Sequence, residues 1–325
     1  MPRRISIALL CALLVLRLSP MLSAHATGIN QAQSAPEEIK VGIYLIRAGS
    51  LDISTGAIDV DFYIEFDCPT ACGDKSEFEI LNGVLKSKPV LLPDPTNPNA
   101  DKQPNYRVAA TVYQEVDLKK YPFDSHDINI VIESSNYDSS EVKYVVNPET
   151  TAIDPNVFIL GWNFDSKPPK ATAAIIDHYY EAWDLHYTRY VFSTHISKPA
   201  LAGWLKGLLP AIFIALGAIF ALYITTKNIG NRVAIITSAL VASVLYHLNF
   251  TSRVPPIGYL TFGDVFMIIN YIVIILSLAL TIWIIRSSEV PERQDAIKRI
   301  NKIEVIAIPV LWVVLHIINA LVILR

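Results

Sequence analysis

The sequence predicts an all-β extracellular sandwich followed by an all-α four-helix transmembrane domain, and three observations lead to this prediction. Hydrophobic residues make up 52% of the 325 residues and charged residues only 18%, whereas soluble domains carry about 25% charged residues. Residues 27–196 carry 13 basic and 25 acidic side chains, but residues 197–325 carry 11 basic and 5 acidic ones. Apolar residues alternate in the first half and form long runs in the second. This composition argues against a soluble cytoplasmic enzyme or a disordered chain, and the acidic surplus argues against a nucleic-acid partner.

Residues 1–26 are predicted to be a signal peptide. Arg3 and Arg4 precede the apolar run 5–16, and small residues suited to a cleavage site end at Ala26. This order is typical of secretory signals. The apolar run is shorter than the ~20 residues that a spanning helix needs, although an uncleaved anchor is the alternative.

Cys68 and Cys72 are the two cysteines that remain after such a cleavage. Two cysteines this close together in an exported chain predict a disulfide. The alternative is half of a metal site, but the sequence has no second cysteine pair or neighbouring histidines to complete one. We therefore expect a disulfide, and we expect no bound metal and no cofactor.

Residues 37–197 are predicted to form the sandwich. Apolar and polar residues alternate across 39–45 and 58–67, as they do in strands with one solvated face. Pro- and Asn-rich segments separate further β-rich runs, which lie at 106–116, 128–132, 141–146, 174–182 and 187–196. Many short strands without a strong helical stretch favour an antiparallel sandwich.

Residues 198–325 are predicted to form the transmembrane domain. Helices are expected at about 198–225, 231–250, 261–286 and 302–324. Apart from the second, each contains an apolar run of at least 20 residues with one charge at most, long enough to cross a ~30 Å hydrocarbon core.

The second helix has a distinct face. Ala234, Ser238, Val241, Leu245 and Leu248 recur at steps of four, three, four and three, so they share one side of a helix. Several copies around a symmetry axis could enclose a pore, with polar rings as a filter and apolar rings as a gate. A helix buried in a bundle, whose hydroxyls bond to its own carbonyls, explains the pattern equally well.

The loop charges predict an orientation. The first–second and third–fourth connections are rich in lysine and arginine, whereas the second–third connection has only Arg253. Basic loops favour the cytoplasmic side. We therefore expect the inner (plasma) membrane, with the N-terminal domain periplasmic or extracellular and the C-terminus also outside.

Several local motifs resemble those of the pentameric ligand-gated ion channels. Tyr121-Pro122-Phe123-Asp124 is similar to the aromatic-Pro-Phe-Asp loop between two sandwich strands of that family. Gln114 and Ile128 stand at the approximate positions of the Cys-loop cysteines, so the chain resembles the prokaryotic branch, which lacks them. The further matches, in family order, are Gly161-Trp162, Leu208-Leu209-Pro210, Arg232 and Tyr259-Leu260-Thr261. The resemblance spans about residues 38–324.

The resemblance implies a gated channel and assigns roles to residues. It implies a homopentamer of five copies in a lipid bilayer, a pore lined by the second helix, and a small-molecule agonist bound between adjacent subunits. It implies a coupling region where the sandwich meets the connection after the pore helix, made by Tyr121, Pro122, Phe123, Asp124, Lys198, Arg253 and Pro256. Proline fixes its own φ, which makes such a loop stiff.

The resemblance also implies that the agonist lies under the aromatic hairpin 179–190. The expected ligand-binding residues are Tyr179, Tyr180, Trp183, Tyr187, Ser135, Tyr137, Phe78 and Asn82. Aromatic faces attract organic cations, so an amine is one candidate agonist. Ser135 departs from the family pattern, since many members have tryptophan there. Packing within the sandwich explains part of this aromatic cluster equally well.

The sequence leaves two properties undecided, namely which ions permeate and which stimulus gates the channel. The acidic sandwich favours cations as the permeating ions, whereas Asn231-Arg232-Val233 is similar to the inner mouth of anion-selective members. Gating by protons is an alternative, and its candidate groups are His126, His178, His186 and His195, because histidine titrates near neutral pH. A non-conducting receptor would need an output module, which the short third–fourth loop does not supply. The sequence has no hydrolase, zinc-protease or phosphate-loop motif, so we do not expect an enzyme.

Overall fold

A computed structural model describes residues 35–91 and 99–324. The predicted signal peptide 1–26 and the terminal Arg325 lie outside the described residues. The described chain is a β-sandwich followed by four apolar helices, each long enough to cross a membrane. The predicted fold class is therefore confirmed.

The sandwich consists of two sheets. One sheet has the strand order β4-β5-β2-β1-β7, with β8 also pairing with β1, and the other has the order β10-β11-β6-β3, with β9 pairing with β11. The described strands are β1 Glu37–Ala48, β2 Ala57–Asp67, β3 Phe78–Ile80, β4 Gly83–Ser87, β5 Asn105–Tyr113, β6 Ser125–Ser134, β7 Val142–Val146, β8 Ala152–Ile153, β9 Asn163–Phe164, β10 Thr172–Tyr180 and β11 Leu185–Ser197.

The sandwich is not purely antiparallel, in contrast to the prediction. Strands β7 and β8 both pair with β1 in parallel, whereas the other paired strands run antiparallel. Strand β6, which precedes β7, belongs to the opposite sheet. Because β7 is therefore not joined to its neighbour by a hairpin, no tight turn forces the antiparallel direction.

The core lies between the sheets and follows the alternation of the sequence. Ile43, Ile64 and Ile130 are each fully buried, and their polar neighbours face outward as the period of two requires. An aromatic group fills one end of the core, with Phe66 in ring contact with Phe78, Tyr106 and Tyr144. Cys68 and Cys72 form a disulfide beside this group, and both side chains are buried.

Four helices follow the sandwich: α1 Ala200–Ala221, α2 Ile229–Thr251, α3 Phe262–Ser288 and α4 Gln294–Ile323. Helix α3 begins with a capping box in which Thr261 and Asp264 satisfy each other's backbone N–H groups. Helix α4 begins at Gln294, before the predicted start near 302. It therefore includes most of the basic segment that follows α3.

Helix α1 contains a π-helical turn at Gly203–Leu208. Pro210 has no N–H group, so it cannot donate to the carbonyl of Lys206 four residues earlier. The hydroxyl of Tyr246 on α2 donates instead, at 3.3 Å to the Lys206 carbonyl and 2.7 Å to the Gly207 carbonyl. The irregular turn of α1 is thereby tied to α2.

Candidate functional site

The loop between β5 and β6 inserts its rings among the helices. Tyr121 packs on Phe250 of α2 with ring centroids 5.1 Å apart. Phe123 packs on Trp204 of α1 at 5.3 Å and on Phe262 of α3 at 5.7 Å. A movement of this loop would therefore act directly on three helices.

Backbone hydrogen bonds join the same loop to the start of α3. The N–H of Phe262 donates to the carbonyl of Lys119 at 2.7 Å, and the N–H of Gly263 donates to the carbonyl of Tyr121 at 3.0 Å. Both N–H groups belong to the first turn of α3, where backbone N–H groups have no carbonyl acceptor within the helix. The peptide bond between Tyr121 and Pro122 is cis.

Asp124 is the charged centre of this interface. Its side chain is fully buried, and its Oδ2 lies 3.2 Å from both Lys198 Nζ and His126 Nε2. Burial raises the pKa of Asp124, but the hydrogen bond from His126 and the Lys198 ammonium outweigh burial and hold this pKa below its ordinary value. The carboxylate thus joins the loop to Lys198, just before α1.

The other predicted coupling residues lie further from this centre. Arg253 donates to Asn249 Oδ1 at 3.3 Å on its own helix, and Pro256 is exposed in the connection that follows. The structure instead packs Leu118 and Tyr121 against Val254 and Ile257 of that connection. Leu118, Val254 and Ile257 were not predicted, because they lack a motif and differ little from core residues.

The five predicted pore residues lie on the exposed side of α2. Ala234, Ser238, Val241, Leu245 and Leu248 are all exposed in the single chain, and the last three expose about 60% of their surface. The opposite side packs on the other helices, and its buried members are Arg232, Ile236, Ala239, Ser243 and Phe250. Helix α2 therefore has one face without a partner among residues 35–91 and 99–324.

Arg232 points away from that exposed face. It is fully buried and donates to Thr281 Oγ1 at 2.8 Å, Asn301 Oδ1 at 2.9 Å and Glu304 Oε1 at 2.5 Å. The arginine thus ties the start of α2 to α3 and α4. Sequence analysis did not identify Glu304 as its partner, since the two positions are 72 residues apart.

The hairpin between β10 and β11 divides its aromatic side chains between two faces. Tyr180 contacts Trp183 and Tyr187 on one face, with ring centroids 5.6 and 5.5 Å apart. Tyr179 lies on the other face, where it stacks on His186 at 4.7 Å. The structure therefore groups three of the four predicted hairpin residues and separates Tyr179 from them.

A buried ion pair lies under the Tyr180 face. Glu133 is 2% exposed and accepts from Arg189 Nε at 2.8 Å and from the Tyr180 hydroxyl at 2.9 Å. Arg189 Nη2 in turn donates to the Tyr180 oxygen at 2.9 Å. Glu133 and Arg189 were not predicted, because Glu133 falls on the polar phase of the alternation and its burial cannot be read from the sequence.

The remaining predicted ligand-binding residues have different surroundings. Ser135 and Tyr137 lie on the loop after β6, and that loop bonds to the hairpin through Ser139 N–H and the His186 carbonyl at 2.6 Å. Phe78 is not on this surface, because its ring packs in the aromatic group of the core. Asn82 bonds to backbone groups of β5 and β6, which occupies its amide.

A pocket of about 350 Å³ lies on the outer face of the other sheet. Its lining includes Tyr44, Tyr63, Glu65 and Glu149. Burial, with a smaller effect of Asp67, raises the pKa of Glu65. This aromatic and acidic lining suits an organic cation.

The histidines proposed as triggers are engaged with carboxylates or rings. His186 lies 3.0 Å from Asp177, His195 lies 2.6 Å from Asp127, and the ring of His178 contacts that of Tyr180 at 4.5 Å. Sequence analysis missed His247 of α2 as a linking residue, although it lies 2.9 Å from the Tyr271 hydroxyl and 3.2 Å from Asp264. Across residues 35–91 and 99–324, no group of three or more potential metal ligands is present.

Comparison with known proteins identifies related channels, although no family model matches the chain. It is 23% identical over 308 residues to the proton-gated ion channel of Gloeobacter violaceus, which covers 88% of this chain and 83% of that protein. It is 26% identical to the acetylcholine-gated chloride channel subunit acc-1 and 24% identical to ligand-gated ion channel 50, both of Caenorhabditis elegans. Each match covers 54% of this chain, and about a third of the nematode protein.

These homologues are pentameric ligand-gated ion channels, so the resemblance indicated by the motifs is confirmed. The homologues are channels rather than enzymes, as the sequence predicts. The described sandwich and four membrane-crossing helices agree with that family and with a membrane location.

Proposed function

We propose that five copies of this chain form a ligand-gated ion channel whose pore is lined by α2. The observation that carries the proposal is the exposed row Ala234, Ser238, Val241, Leu245 and Leu248, which has no partner within the described chain. A ring of five such helices would cover the row and enclose a water-filled path.

The side chains of this row suit a filter followed by a gate. Ala234 and Ser238 are small or polar and would leave a hydrated constriction near the start of α2. Val241, Leu245 and Leu248 would form three apolar rings, and closely spaced apolar rings can exclude water when the pore narrows.

Cations are the proposed permeating ions. Arg232 is engaged with Thr281, Asn301 and Glu304 behind the pore row, so it supplies no positive ring to the path. The 25 acidic and 13 basic side chains of residues 27–196 would create a negative potential around the entrance, which concentrates cations.

The proposed agonist is a small organic amine bound between adjacent copies. Tyr180, Trp183 and Tyr187 offer ring faces on one side, and Tyr187 is close enough to Asp138 and Glu79 for their charges to raise its pKa, after the larger effect of burial. The pocket at Tyr44, Tyr63 and Glu65 is the surface of the next copy that would complete the site. Rings and carboxylates together favour a cation.

Agonist binding would open the pore through the coupling loop. Strand β11 carries the hairpin at one end and Lys198 just beyond the other end. Lys198 forms an ion pair with Asp124, and Tyr121 in the loop before Asp124 packs on Phe250 of α2. A shift of β11 would thus reach the pore helix through two contacts.

The proposed orientation sets the sandwich outside the plasma membrane. Lys227 lies in the connection before α2, Arg286 in the last turn of α3 and Arg293 just before α4, whereas the connection between α2 and α3 carries Arg253 alone. The basic connections would then face the cytoplasm.

Cysteine accessibility tests the pore. The native cysteines, apart from Cys11 in the predicted signal peptide, are disulfide-bonded, so an introduced thiol would react alone. In oocytes, we expect a charged thiosulfonate to block the current of S238C and V241C. I236C, on the buried side of α2, is the matched control and should be unaffected. Equal block at all three positions would contradict the proposed pore face.

Gating by protons is a second candidate, favoured by the relative that is named a proton-gated ion channel. His126 lies buried beside Asp124 in the coupling region, where a change of its charge would act on the loop. Steps of pH without any amine should open the wild-type channel in this case, and H126Q should shift the pH of half-activation. Activation by amines alone, with no response to pH, would exclude this candidate.

A further inference from the structure

Glu133 is a carboxylate on the outer face of its sheet that is nevertheless buried. It alternates along β6 with the core residues Ile130 and Ile132, so its side chain points away from the core. Glutamate is almost never buried unless it is paired, yet Glu133 is only 2% exposed. Tyr180 and Arg189, one from each hairpin strand, bond to it from outside. Its burial therefore depends on two side chains of the hairpin.

The contacts of Arg189 are those that a cationic ligand would make. Its Nε donates to Glu133 Oε2 at 2.8 Å, and its Nη2 donates to the Tyr180 oxygen at 2.9 Å. The centre of the guanidinium group lies 5.6 Å from the centroid of the Tyr180 ring, within the range of a cation–π contact. A carboxylate, a phenol oxygen and an aromatic ring together form a complete set of partners for an organic cation. Arg189 supplies that cation from the chain itself.

The surroundings of Arg189 are acidic and open to water. Glu79 stands opposite Glu133 in the pairing of β3 with β6, and Glu79 is exposed. The single charge of Arg189 therefore leaves this part of the sheet negative. The Arg189 side chain is 22% exposed, so its removal would open the space above Glu133 to solvent.

We propose that Glu133 and Tyr180 form a slot for an organic cation, and that Arg189 fills this slot. The guanidinium group keeps the ammonium group of a free ligand away from Glu133. An amine then reaches only the outer rings, Trp183 and Tyr187, and the exposed carboxylates beside them. Arg189 is thus a specificity-determining residue of the agonist surface. That role rests on the proposed function, whereas the slot itself does not.

The position of Arg189 explains why a free amine does not replace it. Arg189 pairs with Glu133 across β11 and β6, so the backbone already holds the two side chains together. A cation attached in this way acts at a high effective concentration, because its binding costs no further translational freedom. A free amine would have to overcome this advantage.

Chemical rescue of the full-length protein in detergent tests the slot. R189A removes the cation and leaves Glu133 without its partner, so the melting temperature should fall. Methylguanidine at about 20 mM, which carries the same planar group, should raise the melting temperature of R189A by roughly 2–4 °C through binding to the folded state. Wild type should not respond, because its slot is filled. R189Q, whose side chain is neutral and shorter, replaces R189A if that variant does not assemble.

Three variants identify the slot as the place of rescue. R189A/E133Q lacks the carboxylate and should not respond to methylguanidine. R189K keeps a cation in the slot, so it should retain most of the melting temperature and also not respond. R47A is the matched control, because Arg47 likewise bonds through Nε to a carboxylate, Asp61, at 2.8 Å, but its side chain is 70% exposed. We expect no rescue of R47A.

The same measurement with propylamine tests the role in specificity. In R189A the ammonium group gains Glu133 as an acceptor, and a hydrogen bond to a charged group should lower the propylamine concentration for half of the stabilisation by roughly tenfold relative to wild type.

The inference would be overturned by any of three results. The absence of a methylguanidine effect in R189A would mean that no cation slot exists, and an equal effect in R189A and R189A/E133Q would mean that methylguanidine binds elsewhere. Equal propylamine concentrations in R189A and wild type would mean that Arg189 does not exclude amines. A wild-type protein without any current would contradict the channel proposal alone, because melting temperatures do not depend on conduction.

Discussion

At the scale of single residues, Asp124 carries the most charge-dependent contact between the sandwich and the helices. Its pKa lies below the ordinary value, because the His126 hydrogen bond and the Lys198 charge outweigh burial. Because the pKa of Asp124 is lowered in the folded state, its charged carboxylate stabilises the fold at pH values above the ordinary carboxyl pKa of about 4. This stabilisation is lost as the pH falls through the lowered pKa of Asp124.

The first prediction concerns D124N. We expect this variant to lose roughly 1–3 kcal/mol of stability at pH 7, because Lys198 and His126 lose a charged partner. The difference from wild type should begin to shrink below about pH 4 and should disappear only below the lowered pKa of Asp124, where the folded wild-type carboxylate is itself protonated. Thermal unfolding in detergent between pH 7 and pH 3 measures both effects.

D127N is the control for this experiment, since Asp127 bonds to His195 on an exposed surface and exposed pairs contribute little. A constant difference between D124N and wild type at every pH would show that the charge of Asp124 has no role.

The second prediction concerns the buried pair of Arg232 and Glu304. R232M should cost roughly 3–5 kcal/mol, because it leaves Glu304 charged and unpaired in an apolar setting. R232M/E304L should recover most of this loss and should leave the reversal potential unchanged, since Arg232 lies behind the pore row. Thermal unfolding and currents under a salt gradient test both statements, and a changed reversal potential would place Arg232 near the ion path.

The place of a residue in the fold was predictable from sequence where a local motif specified it. The loop at Tyr121–Asp124 could be predicted because proline and its neighbours make a recognisable pattern, and the resemblance placed Lys198 in the same coupling region. Glu133, Arg189 and Glu304 could not be predicted, because each acts through a partner that only the fold brings within 3 Å.

At the scale of elements, α2 combines a packed side with an exposed side. The third prediction is that L245S raises the current without agonist by roughly tenfold or more. A hydroxyl removes part of an apolar ring, and transfer of one leucine side chain is worth about 1.5–3 kcal/mol. Leak current in oocytes measures the effect. V244S is the control, because Val244 is exposed beside the pore row, and an equal rise in V244S would contradict the assigned row.

The fourth prediction concerns the close approach of α3 to Phe250. A methyl group on Gly263 would overlap the Phe250 ring, which itself supports Tyr121. We expect G263A to cost roughly 1–3 kcal/mol by overpacking and to raise the agonist concentration for half-activation. G217A is the control, because nothing lies within 4 Å of the added methyl group. Unchanged melting temperature and activation in G263A would show that this contact is dispensable.

Most elements were predictable from periodicity, but their partners were not. The period of two identified β1 and β2, and the apolar runs identified four helices. The parallel pairing of β1 with β7 and β8 was missed, because sequence alternation reports which face of a strand is buried and carries no information about strand direction.

At the scale of the whole molecule, the proposed ring of five copies would cover the exposed row of α2. The fifth prediction is that light scattering of the detergent-solubilised protein, corrected for bound detergent, gives five times the mass of one chain. A monomer or dimer at micromolar concentration would contradict the proposed ring.

The whole architecture was predictable because two independent signals agreed. The charge division between residues 27–196 and 197–325 and the change of apolar period fall at the same place, and the structure changes from strands to helices there. The agonist surface was less predictable, since it depends on which copy's residues meet across an interface.

The π-helical turn of α1 has a consequence for how chains of this kind are aligned and altered. Such a turn encloses one more residue than an α-helical turn, and each residue rotates a helix by about 100°. The wider turn at Gly203–Leu208 absorbs this residue, so the part of α1 from Leu209 onward keeps its phase. In evolutionary terms it is equivalent to a single-residue insertion, and an alignment with a relative whose first helix is regular should place its gap there. Deleting one residue from this turn would convert it to an α-helical turn and would leave Ala211 and Ala215 in their packed positions.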